Sequence, residues 1–296
     1  MTSNFIGRRD ESFKTFIHTL LKFSKLKKHY IDKLITNENL KLYSKAFTSK
    51  VMYAPGTTNL VPSKDNYEIF EFLGDATIGK FIVWYCFRRF PQLNCDFGVK
   101  ILARLKISLG STDSLSGIAN DLGFWPFISA PIKRVEGVYS IEKFRKTHKW
   151  ELLEDCFEAF IGCTEYILDK EFRQGVGNSV VYDMLKNIFN KIDISLKYED
   201  IFDAKTRLKE IIELHKQQLG KAKYINVRDQ EKNIWKSKVY VTNNNENNKK
   251  RWGFLGEAEG RLKVTAEKNA STIAISTLAK LRYKKELPNK YKKLCT

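Results

Sequence analysis

Glu68-Ile69-Phe70-Glu71-Phe72-Leu73-Gly74-Asp75 is the stretch on which the reading of this chain turns. At about 100° per residue, a helix carries Glu68, Glu71 and Asp75 within roughly a 60° arc of one face. Three like charges so placed repel one another and weaken an isolated helix. A divalent cation over the face resolves that repulsion, and hard oxygen ligands suit Mg²⁺, which keeps several of its waters. An ordinary solvated acidic face is the competing reading of the octet taken alone.

A second acidic stretch lies downstream: Glu151-Leu152-Leu153-Glu154-Asp155-Cys156-Phe157-Glu158-Ala159-Phe160-Ile161-Gly162. Asp155 and Glu158 are one helical turn apart and share a face, while Leu152, Phe157, Phe160 and Ile161 point elsewhere. Two facing helices would merge both clusters into one site, although carboxylate pairs of this kind are also common as plain surface charge. The clusters stand out because the chain is basic, with 52 Lys+Arg against 34 Asp+Glu and a net charge of +18 over 296 residues. Such an excess fits a polyanionic partner, since neutralised phosphates release condensed counterions.

The rest of the composition narrows the classes. Hydrophobic residues make up 43% and aromatics 13%, enough for a packed core. The five cysteines (Cys86, Cys95, Cys156, Cys163, Cys295) form no CxxC pair and none is set beside a histidine in a zinc pattern. They read as reduced thiols of an intracellular protein. The longest apolar run, Phe81–Phe87, is far too short to span a bilayer, and the N-terminus, with Asp10 and Glu11, lacks a signal-peptide pattern. A soluble intracellular protein with no membrane partner is expected.

From Ser12 to about Arg173, apolar residues recur at helical spacing, as in Phe13, Phe16, Ile17, Leu20, Leu21 and again in Ile101, Leu102, Leu105, Leu109. Strand-like alternation is nearly absent, so the expectation is an all-helical region. After about Lys197 the pattern changes. A helical stretch, Ala204–His215, precedes β-leaning runs at Tyr224–Val227, Val239–Thr242 and Trp252–Gly260, and a second helical stretch covers Lys263–Leu281. The order α-β-β-β-α describes a small α+β domain, with Asn243–Lys250 as a long hairpin loop. The expected division is a first domain over 1–190, a linker over 191–200, the α+β domain over 201–285 and a basic tail over 286–296.

Tyr67 through Asp75 resembles the signature N-E-R-L-E-F-L-G-D of the ribonuclease III family, and Asp155-Cys156-Phe157-Glu158-Ala159-Phe160-Ile161-Gly162 resembles its second motif, D-x-x-E-A-L-I-G. Between them, Leu102-Ala103-Arg104-Leu105-Lys106 through Leu115 and Ile118-Ala119 through Gly123 are similar to the family's L-x-x-L-R and I-A-x-x-L-G segments. Tyr67 stands where the signature has Asn, Ile69 where it has Arg, and Thr112 where an Asn is usual. The resemblance implies a mainly α protein, with an all-helical ribonuclease III endonuclease domain followed by an α-β-β-β-α double-stranded-RNA-binding domain. It implies that Glu71, Asp75, Asp155 and Glu158 are catalytic and bind Mg²⁺, with Mn²⁺ able to substitute, that Glu68 is an auxiliary acidic residue, and that Phe72 plugs into a partner subunit of a homodimer. Cleavage of double-stranded RNA to 5′-phosphate and 3′-hydroxyl ends with short 3′ overhangs follows from the same resemblance. A catalytically silent relative that only binds structured RNA is the alternative.

Asp203-Ala204-Lys205-Thr206-Arg207-Leu208-Lys209-Glu210 resembles the first helix of the double-stranded-RNA-binding domain, and Gly256 through Glu267 resembles its third strand and the start of its second helix. The resemblance implies that Thr206 and Glu210 face the minor groove and its 2′-hydroxyls, and that Arg261 and Lys263 bind RNA, Lys263 with the helix N-terminus at phosphates.

Overall fold

The helical periodicity of the sequence is realised in the computed structural model, which describes residues 2–54, 59–133, 140–230, 232, 234–244, 250–286 and 289–294. Contacts divide the chain into Met1–Ile194 and Ser195–Thr296. Among the described residues no helix is long and apolar enough to cross a membrane.

In chain order the first unit runs β1 (Thr2–Phe5), α1 (Glu11–Leu21), α2 (Lys28–Leu34), α3 (Asn37–Ala46), β2 (Val51–Tyr53), β3 (Leu60–Pro62), α4 (Glu68–Arg89), α5 (Asp96–Leu109), α6 (Thr112–Asp121), β4 (Ala130–Lys133), α7 (Ser140–Glu171) and α8 (Val176–Phe189). Local chemistry starts the helices: the Asp10 carboxylate accepts from the Ser12 N–H to cap α1, which buries Phe13, Ile17, Leu20 and Leu21 on one stripe. α7 is apolar around much of its circumference, burying Leu153, Cys156, Phe157, Phe160, Ile161, Ile167 and Leu168, and therefore takes the centre, packed by α3, α4, α6 and α8. Phe47 and Phe124 lie at the middle of an aromatic cluster with Phe13, Phe16, Phe127, Phe157 and Phe160, which ties α1 and α3 to α7.

The first unit is mainly helical but not all-helical. β1 pairs antiparallel with β4, and β2 with β3. Strands of three or four residues are too short for alternation to be legible, and β1 and β4 stand over a hundred residues apart in the chain. Arg9 fixes that junction. Its half-buried guanidinium donates to the carbonyls of Phe127 and Phe47 and to the Ser44 and Ser129 hydroxyls, and burial lowers its pKa to about 10.

The second unit runs α9 (Tyr198–Ile201), α10 (Ala204–Leu214), α11 (Lys216–Leu219), β5 (Ala222–Asp229), β6 (Ile234–Asn244), β7 (Lys250–Gly260), α12 (Lys263–Lys280) and α13 (Asn289–Leu294). The three strands form an antiparallel sheet in the order β5-β6-β7. α10 and α12 cover one face through Leu208, Ile211, Ile212, Val239, Val241, Leu255, Ala270, Ala274 and Leu278. Gly256 lets α12 lie close on β7: a Cβ there would stand 2.7 Å from an Ile273 methyl. The stretch read as a linker contributes α9 and the stretch read as a tail contributes α13, and Tyr291 of α13 packs on Tyr198 and Phe202. Most of the expected Asn243–Lys250 loop lies outside the described residues.

Candidate active site

The two acidic stretches meet because two glycines let their helices touch. A Cβ on Gly74 of α4 would stand 1.8 Å from the backbone carbonyl oxygen of Glu158, and one on Gly162 of α7 would stand 2.1 Å from that of Phe70. Both glycines are therefore contact points between backbones, where no side chain fits. Gly74 precedes Asp75 and abuts Glu158, so the crossing delivers the acidic residues of both helices to one place. Glu158 is only 8% exposed, Glu71, Glu154 and Asp155 are half-buried, and Glu68 and Asp75 are exposed.

Electrostatics registers the crowding. Burial, then the charge of Asp155, raises the Glu71 carboxyl to about 7. Burial, then Asp75 and Glu154, raises Glu158 to about 8. Burial raises Asp155 and Glu154 as well, opposed at Asp155 by a hydrogen bond from Tyr67 and at Glu154 by one from Thr112. One Glu71 carboxylate oxygen, Oε2, is buried without a hydrogen-bond partner. A buried carboxylate oxygen left unpaired is costly, and neighbouring carboxylates that favour one another's protonation mark a place short of positive charge. Among the described residues no group of three or more Asp, Glu, His or Cys side chains is placed so that it could hold a metal ion as it stands. The donor chemistry nevertheless fits a hard divalent cation: several carboxylates, one with an orphaned oxygen, on two helices locked at their crossing.

Comparison with known proteins identifies the family. The sequence profile described as Ribonuclease III domain matches residues 68–166. A protein of Invertebrate iridescent virus 6 with the provisional name ribonuclease 3 is 36% identical over 302 residues, spanning 97% of this chain and 94% of the relative. The chain belongs to the ribonuclease III family. Membership makes it an endoribonuclease acting on RNA. Ribonuclease 3 of Ligilactobacillus salivarius is 28% identical across 83% of this chain and 94% of its own length. Among solved structures, the nuclease domain of ribonuclease III from Campylobacter jejuni matches with 24% identity and a TM-score of 0.38, over 60% of this chain and 98% of that one.

The crossing also gathers residues to which the sequence reading gave no catalytic or metal-binding role. Tyr67 is buried, and its Oη donates to Asp155 Oδ2 at 2.5 Å. Burial, with the negative charge of Asp155 beside it, pushes the phenol far above its ordinary value and keeps it protonated. Lys50, just before β2, pairs with Glu68 at 3.8 Å and lowers the proton affinity of Glu71 and Asp155. Glu154 adds a further carboxylate beside Thr112. Asp75, Glu154, Thr112, Ser111 and Lys106 line a cavity of about 430 Å³. The departures at Tyr67 and Thr112 were visible as signals in the sequence, and Lys106 stood within a quoted family segment, whereas Lys50 is one cation among many.

Phe72 is 73% exposed, turned away from the core on the outer side of α4 with Ile69 at 63%. In the second unit, Lys263 opens α12 and is exposed, as is Arg261. No side chain caps α12, since Leu262 occupies that position. Thr206 lies in the first turn of α10, where Asp203 caps its N–H at 3.1 Å and takes its hydroxyl hydrogen bond at 2.7 Å. Glu210 is engaged within the protein: Tyr198 Oη donates to its Oε2 at 2.8 Å, and Lys285 Nζ does the same at 2.8 Å.

Proposed function

We propose that the chain hydrolyses phosphodiester bonds of double-stranded RNA with Mg²⁺, or Mn²⁺ in its place, held by Glu71, Asp75, Asp155 and Glu158, with Glu68 as an auxiliary acid. The observation that carries this reading is the carboxylate cluster at the Gly74–Gly162 crossing, short of positive charge and with an orphaned Glu71 oxygen. Bound there, the cation would supply an activated water and relief of charge at the scissile phosphate. The chain's own part is to hold the carboxylates in place. Helix contact at Gly74 and Gly162 fixes their spacing, burial of Glu158 excludes water behind them, and Lys50 places one positive charge beside the acidic rim. Products with 5′-phosphate and 3′-hydroxyl ends and short 3′ overhangs follow from this reading if two such sites act on opposite strands of a homodimer. The exposed Phe72 and Ile69 support a dimer surface on α4.

The second unit supports duplex RNA as the substrate. It holds 24 Lys+Arg against 12 Asp+Glu, and the uncapped α12 N-terminus with Lys263 and Arg261 suits phosphate oxygens. Thr206 and Glu210 complete the proposed RNA-binding set, Glu210 with its carboxylate held by Tyr198 and Lys285. The test is cleavage of a long duplex RNA by the full chain and by Glu158→Gln. The variant is expected to bind the duplex unchanged while losing cleavage on the order of 100-fold or more. Undiminished cutting by the variant refutes the site, and a wild-type chain that binds duplex without cutting it favours a silent RNA binder.

A further inference from the structure

Tyr67 occupies the signature position at which the ribonuclease III family pattern has Asn, and the structure gives that substitution a destination. The residue is held at its backbone before the first turn of α4. Its N–H donates to the Thr48 carbonyl at 3.0 Å, and its own carbonyl accepts from the Glu71 N–H at 2.9 Å. The ring is 2% exposed, so surrounding atoms fix its direction. From there the phenol crosses to α7 and donates to Oδ2 of Asp155 at 2.5 Å. A carboxylate with one oxygen committed in this way cannot turn about its last torsion without breaking the bond, which leaves the other oxygen to meet a cation. The phenol reaches farther than an amide could from the same backbone position.

We propose that Tyr67 is a positioning residue for the metal site: through its hydrogen bond it fixes the Asp155 carboxylate in a one-oxygen binding orientation and so sets the affinity for the divalent cation. This rests on the reading of Asp155 as a metal ligand. Groups that orient a ligating side chain in this way commonly change metal affinity by about 10–100-fold when removed.

The experiment uses the full chain stripped of metal, with Mn²⁺ binding followed by calorimetry and by the electron paramagnetic resonance of the free ion. Tyr67→Phe removes one oxygen and is checked for fold by circular dichroism. Tyr43→Phe is the control, because Tyr43 is a fully buried phenol of the same unit whose hydroxyl meets Thr164. Tyr67→Phe is expected to weaken Mn²⁺ binding about 10-fold or more, with duplex RNA binding in chelator unchanged, and Tyr43→Phe is expected to leave Mn²⁺ binding as in the wild type. In a double-mutant cycle, Tyr67→Phe should add little to the loss already caused by Asp155→Asn. Equal Mn²⁺ affinity in wild type and Tyr67→Phe overturns the proposal, as does a full additional loss in the Asp155→Asn background. A wild-type chain that does not bind Mn²⁺ overturns the metal reading and this inference together.

Discussion

Two buried acidic places in this molecule are built in opposite ways. In the second unit, Glu267 of α12 is 7% exposed and fully answered: Lys205 of α10 pairs with one oxygen and Asn226 of β5 donates to the other at 2.8 Å. Burial works against its charge, yet these partners hold its carboxyl below the ordinary range. At the α4–α7 crossing of the first unit, half-buried Glu71 and buried Glu158 stand beside other carboxylates and their proton affinities rise. The same residue type is structural where its charge is compensated, and under the proposed function it is chemical where compensation falls short. Glu267 ties α10 to the sheet and α12. The first cluster is held in place by backbone contact at two glycines and would be more comfortable with a cation.

The largest expected effect comes from the crossing itself. Gly74→Ala puts a methyl group against the Glu158 carbonyl, so α4 and α7 must separate. We expect a loss of about 3 kcal/mol in thermal or denaturant unfolding, together with loss of RNA cleavage. Gly117→Ala, in α6 with nothing within 4 Å of the added methyl, should be neutral or slightly stabilising. Similar stability for the two variants would remove the role given to the crossing.

A second effect separates the two acidic places by pH. Glu71 and Glu158 have raised folded-state values, about 7 and about 8. The folded chain therefore binds more protons than the unfolded chain between the ordinary carboxylate range and about pH 8, and their contribution to stability falls as pH rises through that window. In chelator, the wild type should lose melting temperature from pH 5 to pH 8 relative to Glu71→Gln, and Mg²⁺ should restore more of it at pH 8 than at pH 5. Parallel pH profiles for the two proteins would show that the cluster is already compensated.

The smallest effect inverts the comparison. Glu267→Gln leaves Lys205 without its partner and should cost about 1–2 kcal/mol, read in the unfolding of the second unit and in weakened duplex RNA binding, with Mn²⁺ affinity unaltered. A stabilised variant would instead mean that the pair costs more in desolvation than it returns.

Much of this was legible in the chain because periodicity is local. The stripe Phe13, Ile17, Leu20, Leu21 declares a helix without reference to anything distant, and the octet from Glu68 to Asp75 already places three carboxylates on one face. The β1–β4 pair was not legible, because four residues carry little pattern and their partner lies far along the sequence. The same reason hid Lys50, an ordinary cation until the fold sets it beside Glu68 and Asp155. Glu154 adjoins Asp155 in the chain, but only the fold brings it near Thr112 and Asp75.

The sequence by itself determined the helical character of the first unit, the sheet-bearing second unit and the acidic and aromatic residues that the ribonuclease III motifs carry, though not the short helices α9 and α13. Only the tertiary structure decided that Gly74 and Gly162 are points of backbone contact, that Tyr67 reaches Asp155, and that Glu210 is held by Tyr198 and Lys285. The physical reason is range. Helix periodicity depends on neighbours within a turn or two, whereas a carboxylate's charge state and orientation depend on groups brought near it from other parts of the chain.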